Sequence, residues 1–174
     1  MQIIFSFGVS PLIYASRGIK NHFPNMKECP ICHHPEAMEK HGFYWRNVLF
    51  SKRQFRIPIR RLKCSSCGKT ISFLPDYLLP YFQYCLVYIV ESLRGFFLQG
   101  KRKIYYQLLQ FYRQRFLKNL NRLQSFFRDL GYLGVIPEKE KAIKLLEMIR
   151  NAFPKAKTFA KRFQESSQTN FMAK

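Results

Sequence analysis

Two cysteine pairs, Cys29-Pro30-Ile31-Cys32 and Cys64-Ser65-Ser66-Cys67, carry the most definite chemistry in this 174-residue chain. A Cys-x-x-Cys turn aims two sulfurs at one point, and two such turns supply the four thiolates that a tetrahedral Zn²⁺ takes. Iron in a rubredoxin-like site uses the same ligand set, and a pair of buried or redox dithiols is the metal-free alternative. With every coordination position filled by sulfur there is none open for water, so a zinc ion here contributes to folding and not to catalysis. His33 and His34 directly follow Cys32; either offers a Cys₃His variant of the site or a hydrogen bond to a ligating sulfur. The fifth cysteine, Cys85, sits in an apolar stretch and reads as a small core hydrophobe. Metal spacing in place of a disulfide framework points to a reducing, cytoplasmic setting.

The second chemical signal is charge. Thirty Lys and Arg against ten Asp and Glu leave a formal charge of +20. Such a chain repels itself unless a polyanion or counterions offset it, which makes nucleic acid the first candidate partner. The excess is present in each of the stretches 1–28, 29–78, 79–131 and 132–174, so it describes a broad surface and not one basic tail. Its densest cluster is Lys52, Arg53, Arg56, Arg60, Arg61 and Lys63, close to Tyr44, Trp45 and Phe55; cations mixed with aromatic rings suit base stacking and backbone tracking. Lys101, Arg102 and Lys103 form a second group, and Arg115, Lys118 and Arg122, at i, i+3 and i+7, would share one helix face within reach of phosphates. The alternative for each is a solvated face.

The elements that must position these groups follow from periodicity. Between the cysteine pairs, 42–50 is aromatic and β-favouring, and 55–64 alternates Phe55, Ile57 and Ile59 with Arg56, Pro58 and Arg60. Ser51-Lys52-Arg53-Gln54 joins them as a turn. Pro58 cannot donate a ladder hydrogen bond, so its strand is expected to be an edge or bulged there. A third strand is expected at 70–74. The opening Met1–Gly8 stretch has no basic residue before its apolar run and is broken by Gly8 and Pro11, so it is read as a strand or ordered arm and not as a signal peptide or membrane span. After Pro75 and Pro80 the period changes. Residues 81–98 are apolar nearly all round, a buried helix ended by Gly100. From 104 to 130, Leu109, Phe116, Leu123 and Leu130, with Tyr105, Tyr112, Leu120 and Phe127 beside them, give two consecutive helices or one bent one. Gly131 and Gly134 stop that run, and Pro137 starts a further helix through Phe153.

Catalytic signatures are missing. Asp76, Glu91 and Asp129 form no paired-carboxylate motif, and there is no glycine-rich phosphate loop, G-x-S-x-G or H-E-x-x-H.

One family resemblance can be placed on these motifs. Cys29-Pro30-x-Cys32, His41-Gly42-Phe43-Tyr44 with Arg46, Ile57-Pro58-Ile59-Arg60-Arg61 running into Cys64-x-x-Cys67-Gly68-Lys69-Thr70-x-Ser72, then Leu74-Pro75-Asp76 and Pro80-Tyr81, resemble an uncharacterised bacterial family of transposase-like zinc-ribbon proteins. The stretches Ile3–Pro11 and Arg113-x-Arg115-Phe116-x-x-Asn119-Leu120 are similar to it as well. The resemblance implies a zinc ribbon followed by a helix-turn-helix-like part, a mobile-element setting and DNA binding, and it assigns metal ligation to Cys29, Cys32, Cys64 and Cys67. Insertion-sequence transposases continue into a catalytic domain with Asp/Asp/Glu ligands, which is not expected within these 174 residues.

The expectation is therefore an α+β protein: an arm and Cys₄ zinc β-ribbon at 1–78, a small helical bundle, helix-turn-helix-like, at 79–153, and a basic flexible tail at 154–174. Its expected activity is non-catalytic, zinc-dependent binding of DNA, duplex in the first instance, without a membrane. The alternatives are a protein-interaction ribbon docking a transposase or transcription partner, and a truncated transposase.

Overall fold

A computed structural model describes residues 1–50, 53–153 and 156–173, with side chains omitted at 156 and 157. The chain is α+β and divides into two compact units, Met1–Gln83 and Tyr84–Lys174.

The first unit is a four-stranded sheet in the order β1-β4-β3-β2, from β1 (Gln2–Phe5), β2 (Met38–Phe50), β3 (Arg53–Cys64) and β4 (Thr70–Pro75). β2 and β3 form the long antiparallel hairpin, in register from Met38 opposite Cys64 to Phe50 opposite Arg53. Arg53 and Gln54 thus belong to the strand and not to the turn; residues 51 and 52 lie outside the described residues. The register shifts between Lys40 and Phe43, where Gly42 takes a φ of 72°, a left-handed conformation that glycine adopts readily. β4 pairs with β3 only over Arg61–Lys63, so β3 has a single neighbour at Pro58. On the open side the Pro58 carbonyl accepts a hydrogen bond from the Tyr14 hydroxyl at 2.9 Å. Pro58 therefore sits at a local edge, where a missing N–H disrupts no ladder.

The opening arm is ordered. β1 runs parallel to β4, with Ile4 buried opposite Leu74. It leads into α1 (Pro11–Arg17), which begins on a Ser10 cap whose hydroxyl accepts the Ile13 N–H and on Pro11 at the first helical turn. The side of the hairpin carrying Tyr44, Arg46 and Val48 opposite Ile59, Ile57 and Phe55 meets the core. There the Arg46 guanidinium donates to the carbonyls of Leu79 and Phe82.

The second unit is helical: α2 (Leu86–Gln99), α3 (Tyr106–Lys118), α4 (Leu120–Asp129), α5 (Lys141–Ala152) and α6 (Ala156–Ser167). Gly100 ends α2 in the left-handed conformation. Leu86, Ile89, Val90 and Leu93 give α2 its buried stripe, and Arg94 ties it to α5 through Glu147 at 2.8 Å while also pairing with Glu91 at 3.0 Å. Of the apolar rows expected over 104–130, Leu109, Tyr112, Phe116, Leu123 and Phe127 are buried, whereas Tyr105 and Leu130 are exposed because they flank the helices and lie outside them. The run divides at Asn119, which is buried and donates to the carbonyls of Arg115 (2.8 Å) and Ala173 (3.0 Å).

One expectation needs correction. Residues 154–174 were expected to be a flexible tail, yet α6 and the segment after it supply Phe159, Phe163 and Phe171 to an aromatic core with Phe126, Phe127 and Phe153. In the expected helix-turn-helix-like part, α3 and α4 are separated by Asn119 alone and α2 from α3 by residues 100–105. No described helix is long and apolar enough to cross a membrane.

Candidate metal centre and nucleic-acid interface

The two cysteine turns are built alike. In the first, the His33 N–H donates to the Cys29 carbonyl (2.8 Å) and the Cys29 N–H to the His34 carbonyl (3.2 Å); in the second, Gly68 and Lys69 repeat the pattern on Cys64 at 3.0 and 2.9 Å. The second turn is also anchored to the residue before β2, by the Ser65 N–H on the Ala37 carbonyl at 2.9 Å. Cys29, Ala37 and Cys64 form a small buried cluster against which Met38 and Cys67 pack.

This arrangement brings the sulfurs of Cys29, Cys32, Cys64 and Cys67 within 4.8 Å of one another. Cys29 and Cys67 are 3.8 Å apart, Cys32 and Cys64 3.7 Å. Zn–S bonds of about 2.3 Å at tetrahedral angles put sulfurs about 3.8 Å apart, so the donor set fits a zinc ion. As bare thiols, Cys29 and Cys67 are displaced in opposite directions. The Cys32 N–H is the largest of several hydrogen bonds that outweigh burial and pull Cys29 down to about 6. At Cys67 the Lys69 N–H also lowers the pKa, but burial and the neighbouring sulfurs prevail and push it up to about 11.

Neither histidine joins this set. His33 Nδ1 faces Glu28 at 3.2 Å and His34 Nδ1 faces the Pro35 carbonyl at 2.8 Å. His33 instead occupies the position that Gly68 holds in the second turn, with φ of 58° against 69°. Left-handed backbone is unfavourable for a residue with a Cβ, so His33→Gly is expected to raise the stability of the zinc-loaded protein by up to about 1 kcal/mol, and Gly68→Ala to lower it by about 1–2 kcal/mol. Urea unfolding followed by the fluorescence of Trp45, the single tryptophan, measures both; a loss of stability in His33→Gly would contradict the equivalence of the turns.

The metal turns close the base of the β2–β3 hairpin, and along one side of that hairpin cations and rings alternate. Phe43, Trp45 and Asn47 stand opposite Arg60, Pro58 and Arg56. The Arg60 guanidinium lies over the Phe43 ring at 4.7 Å and that of Arg56 over Trp45 at 5.8 Å, with Trp45 half exposed. Arg53 is exposed toward the hairpin tip; Lys52 lies outside the described residues. Arg61 does not belong with them. Strand alternation puts it on the side of Ile57 and Ile59, where it is half-buried and its Nε has no hydrogen-bond partner among the described residues.

The helical cations are more dispersed. Lys101, Arg102 and Lys103 are exposed, but in the α2–α3 connection and not at a helix start; Arg102 lies over Tyr106 at 4.8 Å. Arg115 is half-buried over Phe111 at 4.9 Å, whereas Lys118 and Arg122 are exposed. The break at Asn119 means that Arg115 and Lys118 share α3 while Arg122 belongs to α4, with its guanidinium donating to the Asn119 side-chain Oδ1 at 3.4 Å.

A concave surface that sequence reasoning missed adjoins the hairpin. Ile19, Phe23, Pro24 and Asn25, following α1, meet Lys40, Phe43, Arg60 and Leu62 around a groove of about 450 Å³.

Comparison with known proteins adds one finding and two absences. No curated protein and no solved structure matches the chain. Residues 29–109 match a family described as a domain of unknown function, DUF6431, a segment that starts on the first cysteine of the candidate centre and takes in both cysteine turns, the hairpin, β4 and α2.

Proposed function

We propose that this protein is a non-catalytic DNA-binding protein in which a Cys₄ zinc centre holds a basic, aromatic-bearing hairpin against the phosphodiester backbone. The observation that carries this reading is the joint placement of Arg56 over Trp45 and Arg60 over Phe43 on one side of a hairpin whose base is closed by the four sulfurs. Zinc, when bound, locks the two turns together; it takes no part in chemistry. Arg53, Arg56 and Arg60 meet phosphates, and Lys101, Arg102, Lys103, Lys118 and Arg122 extend the positive field. A net charge of +20 makes affinity electrostatic first.

A relation to insertion-sequence transposases, as a companion protein or as a remnant without its catalytic half, is supported by the order of motifs from Cys29 to Tyr81. A protein-docking ribbon is the second reading, favoured by the half-exposed Trp45. Fluorescence anisotropy on random-sequence duplex DNA separates the two. With six to ten phosphate contacts, affinity should fall by about 10³–10⁵ between 50 and 200 mM salt. Absence of binding at the low end would remove the DNA reading and leave the protein-docking one.

A further inference from the structure

The groove beside the hairpin has a chemistry that a duplex backbone does not use. Its walls are apolar and aromatic, from Ile19, Phe23, Phe43 and Leu62; among the described residues Lys40 and Arg60 are its only charged lining residues, and no acidic side chain takes part. Phe23 and Phe43 meet edge-on, with ring centroids 5.1 Å apart, and Arg60 covers Phe43. Phosphates alone would leave the walls unsatisfied, and an uncharged apolar ligand would leave both cations unpaired. An apolar flat group carrying an adjacent negative charge answers to both, and a volume of about 450 Å³ is in the range of small-molecule sites.

Spacing points the same way. Phe43 and Trp45 are two positions apart on one side of β2, hence about 6.7 Å along the strand. Successive nucleotides within a duplex strand rise only about 3.4 Å, so rings at this interval can each take one base only from a strand that is unstacked and extended.

We propose that the groove binds an unpaired nucleotide, its base between the aromatic and aliphatic walls and its phosphate at Lys40 and Arg60, so that the protein prefers DNA with a single-stranded segment to blunt duplex. This rests on the DNA-binding reading above and makes its ligand more specific.

The test uses the full-length, zinc-loaded protein at one salt concentration. A labelled duplex with a single-stranded thymidine overhang is compared with a blunt duplex carrying the same number of phosphates. The overhang should bind at least about tenfold more tightly, the effect expected of one or two stacked bases, and should quench Trp45. Ile19 is more than half exposed, so Ile19→Asp is expected to fold; it places a negative charge in the groove and should erase the preference while changing blunt-duplex affinity less than about threefold. Arg60→Lys, which keeps the charge and loses the planar group, provides a second variant and should reduce the preference in part. Equal affinity for the two DNAs, or a preference untouched by Ile19→Asp, would overturn the groove proposal while leaving DNA binding standing. Failure to bind either DNA would overturn both.

Discussion

Cys64→Ser is expected to release stoichiometric zinc and unfold Met1–Gln83, while the helices of Tyr84–Lys174 remain. Cys64 is fully buried, accepts the Gly68 N–H on its carbonyl, and places its sulfur 3.7 Å from that of Cys32. A serine hydroxyl stays protonated near neutral pH and is a poor zinc ligand beside three thiolates. Structural zinc contributes on the order of 10–16 kcal/mol in small metal-folded units, comparable to the whole stability of a domain, so its loss is not absorbed by the few apolar side chains around the site. The helical unit has its own core of Phe126, Phe127, Phe153, Phe159 and Phe163. Metal analysis, together with near- and far-ultraviolet circular dichroism, would show zinc gone, Trp45 in a disordered environment and most helical signal kept. Stoichiometric zinc in the mutant would sink the four-sulfur assignment.

The second large effect concerns the hairpin cations. Replacing Arg53 and Arg56 together by alanine should flatten the dependence of log affinity on log salt by about 2, since each lost phosphate contact removes close to one released counterion. Both side chains are exposed on the hairpin, and neither forms an ion pair among the described residues, so the fold should survive their loss. Arg56 also leaves Trp45 uncovered on truncation, which would shift the fluorescence of the free protein. An unchanged slope with unchanged affinity would place the phosphate contacts elsewhere, with Lys101, Arg102 and Lys103 next in line.

Much of the candidate centre was legible because its determinants are local. A Cys-x-x-Cys turn is specified within a few residues, and the alternation of Phe55, Ile57 and Ile59 with Arg56, Pro58 and Arg60 specifies which side of β3 meets the core. The same alternation separates Arg61 from Arg60, although the run of basic residues had suggested one cluster. Ser10-Pro11 is a helix-start signal that α1 obeys and that the glycine-punctuated opening obscured. At the break, Asn119 donates to the carbonyl of Ala173, 54 residues away, and no window over 104–130 contains that partner. Phe159 and Phe163 had helical spacing, but a polar, basic context hid the partners that bury them. The groove was least legible of all, since residues 19–25 and the hairpin are joined only by tertiary packing.

The central claim is that a zinc centre holds a DNA-binding hairpin in shape, and the most direct measurement is duplex binding by the full-length protein before and after removal of its metal, at low salt, by fluorescence anisotropy. The account predicts tight, salt-sensitive binding by the zinc-loaded protein, a loss of at least about tenfold when a chelator withdraws the ion, and recovery when zinc is returned. Binding that is unchanged by chelation, with the zinc shown to be gone, would contradict it, as would zinc-loaded protein that ignores DNA at every salt concentration.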